Sequence, residues 1–235
     1  MRKKIILTLW ILTILSSFAH AQFKPFRFGF KVGPNLSWLA PDVEGYESNG
    51  ISGGFSWGFV SDFAITENYF ISTGFGMDYL GGKLEYPHSM KFDDDTVSYT
   101  GDLSRKYNLR YLEIPLTLKM RTNMFGRIAY YGKIGFGTSF NLKSKSKDEF
   151  SYFDNGAKIT EDFEEDIKDD IVFFHESIIF GGGVEYFVDE STSINVGISF
   201  KNGLTNVLKG ENSVDPDIEE KANLHYFQLN VGVIF

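Results

Sequence analysis

The chain has no cysteine in 235 residues, which excludes disulfides, thiolate metal sites and cysteine nucleophiles. Beyond the N-terminus, no uninterrupted apolar stretch reaches the ~20 residues a membrane-spanning helix needs. Cations are also in deficit. The 23 Lys+Arg against 31 Asp+Glu leave a net charge of −8, the wrong sign for a surface that must displace counterions from nucleic acid. Nucleic acid is therefore excluded as a partner. With only four histidines, the material for acid–base catalysis is thin.

What the chain does have is aromatic residues and glycine. Phe numbers 24, Tyr 12 and Gly 24, and aromatics make up 17% of the whole. Phe, Tyr and Trp favour strands and membrane interfaces, and Gly serves barrel bends and tight interior packing.

Residues 1–21 read as a secretory signal. Arg2, Lys3 and Lys4 form a basic start, an apolar run follows from Ile5, and Ala19-His20-Ala21 is a small-x-small cleavage site. The alternative, a retained anchor, has too short a run and no basic flank behind it. The expected division is a signal peptide at 1–21 and one domain at 22–235, whose balance of 20 cations to 31 anions gives −11.

The last ten residues alternate. Phe227, Leu229, Val231, Val233 and Phe235 fall on one face, and Gln228, Asn230 and Gly232 on the other, with Ile234 as the exception. The same period of two recurs seven more times. Phe26, Phe28, Phe30 and Val32 alternate with Arg27, Gly29, Lys31 and Gly33. Further alternating segments begin near Gly54, Tyr69, Leu112, Ile128, Phe180 and Ser193. Phe187 breaks the pattern in the sixth strand. Pro115 interrupts the fourth, where it predicts a bulge or an unpaired position.

The connections alternate in length. Those around Thr66-Glu67-Asn68, 121–126 and 189–192 are short, and those at 39–50, 82–106, 143–170 and 202–221 are long. This predicts an all-β protein: an eight-stranded antiparallel up-and-down transmembrane β-barrel with short periplasmic turns and long extracellular loops. Its localisation would be the bacterial outer membrane. Ten strands result if 143–170 hides a hairpin turning at Asp154-Asn155-Gly156. The competing reading of that segment is a hairpin rising above the membrane.

Eight strands enclose a space that side chains fill. The inward positions carry Arg27, Lys31, Lys119, Lys133 and Lys201 against Asp62, Asp78, Glu113 and Glu185, which predicts a salt-bridged plug rather than a porin-like pore. The alternative is an ion or proton path along those charges. The ten carboxylates between positions 148 and 170, and Asp93-Asp94-Asp95, read as solvated loop charge. Divalent cations bridging to lipopolysaccharide are the alternative there, although no EF-hand spacing is present.

An enzyme would have to use His88, His175 or His225. His175 has Glu176 and Ser177 beside it, and residues two apart share a strand face. No catalytic, cofactor-binding or metal-ligating set is assigned from this, no cofactor is implied, and the expectation is a non-enzyme. A lipid-acting enzyme and a soluble lipocalin-like carrier remain as alternatives.

Several segments resemble the PorT-like small outer-membrane β-barrel family of Bacteroidetes. They are Phe28-Gly29-Phe30-Lys31-Val32-Gly33-Pro34-Asn35, Arg110-Tyr111-Leu112-Glu113-Ile114-Pro115-Leu116, Tyr131-Gly132-Lys133-Ile134-Gly135-Phe136-Gly137, and the Phe-terminated last strand. The resemblance implies an eight-stranded outer-membrane barrel of the broad porin type, in contact with outer-membrane lipid and lipopolysaccharide. The sorted loops and the balanced interior, for their part, point to envelope structure or surface interaction through the long acidic loops as the function. Through its namesake, the resemblance also implies an accessory role with secretion-machinery proteins of the type IX system.

Overall fold

The computed structural model describes residues 25–92 and 97–235. The signal segment and Asp93-Asp94-Asp95 lie outside the described residues. Ten strands follow in order: β1 (Phe26–Pro41), β2 (Glu47–Ser48), β3 (Ser52–Ala64), β4 (Tyr69–Lys91), β5 (Ser98–Arg121), β6 (Ile128–Asp154), β7 (Ala157–Asp166), β8 (Phe174–Phe187), β9 (Ser193–Asn206) and β10 (Ala222–Ile234). A short 3-10 turn, Lys168–Asp170, precedes β8.

Eight of these strands close on themselves. The order β4-β3-β1-β10-β9-β8-β6-β5 is hydrogen-bonded throughout, and β5 pairs back onto β4. Every pairing is antiparallel, and the first and last ring strands form the seam, from Gly29↔Ile234 to Pro41↔Ala222. Closure leaves no free edge in the ring.

Inside this ring, alternation sorts the side chains as their polarity predicts. Arg27, Asp62, Asp78, Glu113, Lys119, Glu185 and Lys201 are buried. Phe28, Phe59, Leu116, Phe136, Ile198 and Leu229 face outward and are exposed. Apolar side chains cover the outside of all eight strands in a continuous band, far beyond the scattered patches of a soluble monomer. Among the described residues, no helix is long and apolar enough to cross a membrane, which says nothing of strands.

Two breaks in the alternation resolve. Phe187 faces inward at the short-turn end, and Ile234 is buried inside the ring. Pro115 is unpaired toward β4, not a bulge, while it keeps its place opposite Gly137 in the β5–β6 ladder. On its β4 side the ladder runs Thr73↔Leu116 and resumes at Gly76↔Glu113 without a change of register. The Thr73 hydroxyl donates to the Pro115 carbonyl at 2.7 Å.

The segments read as long loops at 82–106 and 143–170 are mostly strand. β4, β5 and β6 run for 23, 24 and 27 residues, more than twice the ~10 a tilted strand needs to cross a bilayer. Beyond Tyr79 they continue above the ring for roughly 40 Å of strand length. β2 adds to the β4 side, and β7 pairs with β6 alone, so the hairpin extends above the ring instead of widening it. Its turn lies at the sequence signal, with Asn155 and Gly156 both at positive φ (47° and 83°).

The polarity of the strands reverses where this extension begins. In β5 the outward side chains are Ile114, Leu116, Leu118 and Met120 within the ring, but Asp102, Ser104, Lys106, Asn108 and Arg110 above it. The inward ones change from Glu113, Thr117 and Lys119 to Leu103, Tyr107 and Leu109. The lower half is therefore built for an apolar exterior and the upper half for water.

Candidate functional site: the ring interior and its cap

Two layers of ion pairs fill the lower interior. In the layer near the short turns, Lys119 Nζ contacts Asp62 Oδ2 at 2.7 Å and Glu185 Oε1 at 2.5 Å. Arg27 Nη1 meets Glu185 Oε2 at 3.0 Å, and Arg27 Nη2 donates to Ser193 Oγ at 2.6 Å. Arg121 adds a third cation at 3.4 Å from Glu185. Both guanidinium groups lie over the Phe187 ring, at 5.5 and 5.4 Å. That contact explains why an aromatic occupies an inward position.

In the upper layer, Lys201 Nζ lies 2.5 Å from Glu113 Oε2 and 3.5 Å from Asp78 Oδ2. The Tyr226 hydroxyl donates to Asp78 Oδ2 at 2.9 Å, and Lys201 lies over the Tyr226 ring at 4.7 Å. A buried charge is tolerated when it is paired and hydrogen-bonded, and seven of the nine predicted interior charges meet that condition. Lys31 and Lys133 have no carboxylate within ion-pair distance among the described residues.

Above these layers the interior is largely apolar, with the buried Arg105–Asp148 pair as the charged exception. Leu39, Leu80, Leu84, Tyr86, Leu103, Tyr107, Leu109, Tyr111 and Phe150 form one buried cluster with Tyr226. The chain between β7 and β8 contributes Ile167 and Ile171, and the chain after β9 contributes Val207 and Leu208. These connections fold over the ring instead of trailing into solvent, bridged at Ile171↔Leu208. The Tyr46 and Tyr86 rings stack at 4.4 Å, and the Tyr46 hydroxyl donates to Glu220 Oε1 at 3.1 Å and accepts from Asn212 Nδ2 at 2.7 Å. Burial pushes the Glu220 carboxyl above its usual pKa.

The acidic run divides. Most of its carboxylates are exposed on β6 and β7, but Asp148 is buried. It accepts from Arg105 Nε at 3.1 and 2.9 Å and from Nη2 at 2.6 Å, and Arg105 reaches on to Glu165 at 3.0 Å. The sequence showed ten like charges without showing that a distant cation on β5 anchors one of them. Among the described residues, no group of three or more His, Asp or Glu is placed to hold a metal ion.

The histidines do not assemble a catalytic set. His175 and Ser177 both face inward, but the Ser177 hydroxyl donates to the Gly137 carbonyl at 3.3 Å, and His175 meets the Tyr111 ring edge-on at 4.9 Å. Glu176, on the opposite face, accepts from the Thr138 hydroxyl at 2.9 Å. His225 faces outward against Trp38, 5.7 Å between ring centres. His88 lies in the extension, its Nδ1 2.9 Å from Ser213 Oγ.

Comparisons with known proteins give a family and several solved structures of low similarity. The chain is similar to Neisserial surface protein A at 12% identity, covering 90% of this chain and 96% of that one, with a TM-score of 0.47. It is also similar to OprG from Pseudomonas aeruginosa (7% identity, 91% and 97% coverage, TM-score 0.47) and to the outer membrane protease OmpT from Escherichia coli (9%, 92% and 99%, 0.40). Likeness at that level carries no functional argument. No curated protein matches the chain. The model of the outer membrane protein beta-barrel domain, however, matches residues 18–209. The chain belongs to the outer membrane protein beta-barrel domain family, and its place is the bacterial outer membrane.

Proposed function

We propose that the protein is a non-enzymatic, eight-stranded outer-membrane barrel, closed to diffusion, that acts through the surface it raises outside the cell. The short turns between β3 and β4, β5 and β6, and β8 and β9 face the periplasm in this reading, and the strand extension faces the medium. The observation that supports it is the filled interior: two ion-paired layers lie beneath a largely apolar cap. The extension is a braced sheet whose outward side chains on β6 and β7 include Lys147, Glu149, Asp162 and Glu164, a polar and largely acidic face suited to envelope contacts or to a cationic surface partner.

The resemblance to PorT-like barrels supports the fold more than a secretion task. In Tyr111-Leu112-Glu113-Ile114-Pro115-Leu116, Tyr111 packs on His175, Glu113 pairs with Lys201, and Pro115 opens the β4 ladder. Those roles are internal to the ring, and the motif's exposed side chains, Ile114 and Leu116, are apolar and belong to the outward band.

The test is electrical. The purified protein inserted in a planar bilayer is expected to give no discrete conductance steps. Steps that persist in the absence of denaturant would refute the closed-barrel reading.

A further inference from the structure

Between the two ion-paired layers lies a cavity of about 50 Å³. Lys31 and Lys133 line it from opposite sides of the ring, and Lys119 and Lys201 reach its floor and roof. Lys119 and Lys201 are already neutralised by Asp62, Glu185 and Glu113. Lys31 and Lys133 are not. The register makes matters worse, because Lys133 lies directly across from Lys119 in the β5–β6 ladder, a like-charge cross-strand pair. With every group in its ordinary ionisation state, the two layers and the cavity between them hold six cations (Arg27, Lys31, Lys119, Arg121, Lys133, Lys201) and four carboxylates (Asp62, Asp78, Glu113, Glu185). A charge held out of water needs a counter-charge or a strong hydrogen-bonding partner.

We propose that this cavity binds one small monovalent anion, a halide by its size, held between the Lys31 and Lys133 ammonium groups. The volume accommodates only a body the size of one or a few waters, which excludes large organic anions. The Asn195 side chain lies on the β9 wall, its Oδ1 accepting from the Tyr131 hydroxyl at 3.0 Å, and its amide NH2 is the neutral donor beside the ammonium groups. The route we assign runs from the short-turn end, where a separate vestibule of about 690 Å³ is lined by Arg27, Arg121 and Arg127 together with Glu67, Asp189 and Glu190, and it crosses the Lys119–Glu185 layer. The apolar cap above makes the route a dead end, so the site is saturable and does not conduct. This inference is independent of what the extracellular surface binds.

The probe is bromide. Crystals of the full mature protein grown in sodium bromide are expected to show an anomalous peak between the Lys31 and Lys133 side chains. In detergent solution, the unfolding midpoint is expected to rise by roughly 3–6 °C per tenfold increase in chloride or bromide at constant ionic strength, with gluconate as the balancing anion. Lys31→Met and Lys133→Met are each expected to abolish that halide dependence. Bromide peaks confined to the protein exterior would overturn the proposal, as would the same halide dependence in folded variants. If neither variant folds, the wild-type bromide map decides alone.

Discussion

Replacing Arg105 by Met removes the cation that holds Asp148 and leaves the strands otherwise unchanged. The Asp148 side chain is 0% exposed and, once Arg105 is gone, retains only the Ser146 hydroxyl at 3.0 Å. Breaking a buried pair from one side costs about 3–5 kcal/mol, because the remaining charge stays buried without compensation. Glu165 and Asp170 also lose their partner, but at 47% and 55% exposure they add little. The loss falls on the β6–β7 hairpin, which pairs with the rest of the sheet only through β6. Amide exchange in residues 144–166 is therefore expected to accelerate by about two to four decades, while β8, β9 and β10 keep their protection. Adding Asp148→Leu removes the stranded charge, and the double variant is expected to return to within about 1 kcal/mol of wild type. The assay is hydrogen exchange by mass spectrometry on protein in detergent or nanodiscs. An unchanged hairpin in the single variant, or a double variant as loose as the single, would refute the reasoning.

Other expectations follow from the same geometry. Burial, helped by the nearby Arg105 cation and opposed by Asp148, lowers the His88 pKa, so the folded extension favours neutral imidazole. That contribution is present above the ordinary pKa near ~6.5 and is lost as pH falls through it, so the β4–β5 tip is expected to exchange faster at pH 5.5 than at 7.5. His88→Phe should remove the dependence, and a tip equally protected at both pH values would contradict it. At the seam, a Cβ on Gly33 would run into the Leu229 carbonyl. Gly33→Val is expected to cost about 1–3 kcal/mol by overpacking and to lower the folded fraction seen on unheated gels. A wild-type yield would show that the seam has room to move.

The ring was legible because a lipid-facing strand writes its two faces in opposite polarity. All nine interior charges, from Arg27 to Lys201, were assigned from period-two alternation alone, and so were the outward Phe and Ile residues. What alternation could not reveal is the continuation of the same strands. Past Tyr79 and Arg110 the exterior solvent changes from lipid to water, and the apolar residues switch to the inward face at Leu80, Leu84, Leu103 and Leu109. In β6 a bulge at Leu142 shifts the phase as well, between Tyr111↔Asn141 and Arg110↔Lys143. A reading at fixed phase meets both as an end of strand, which is why 82–106 and 143–170 looked like loops. The Arg105–Asp148 pair and the apolar cap were hidden for a different reason. Both depend on contacts between segments far apart in sequence, which no local pattern records. The Arg27–Phe187 contact is long-range too, and it made Phe187 look like an error in the pattern.

The central claim is the reversal of polarity along continuous strands at the membrane surface. Because the chain has no cysteine, single cysteines placed at successive outward positions of β5 report it directly. On intact cells treated with a membrane-impermeant thiol reagent, Asp102→Cys, Lys106→Cys and Asn108→Cys are expected to react, and Ile114→Cys, Leu116→Cys and Leu118→Cys to stay protected. Protection at Lys106 together with reaction at Leu116 would contradict the account.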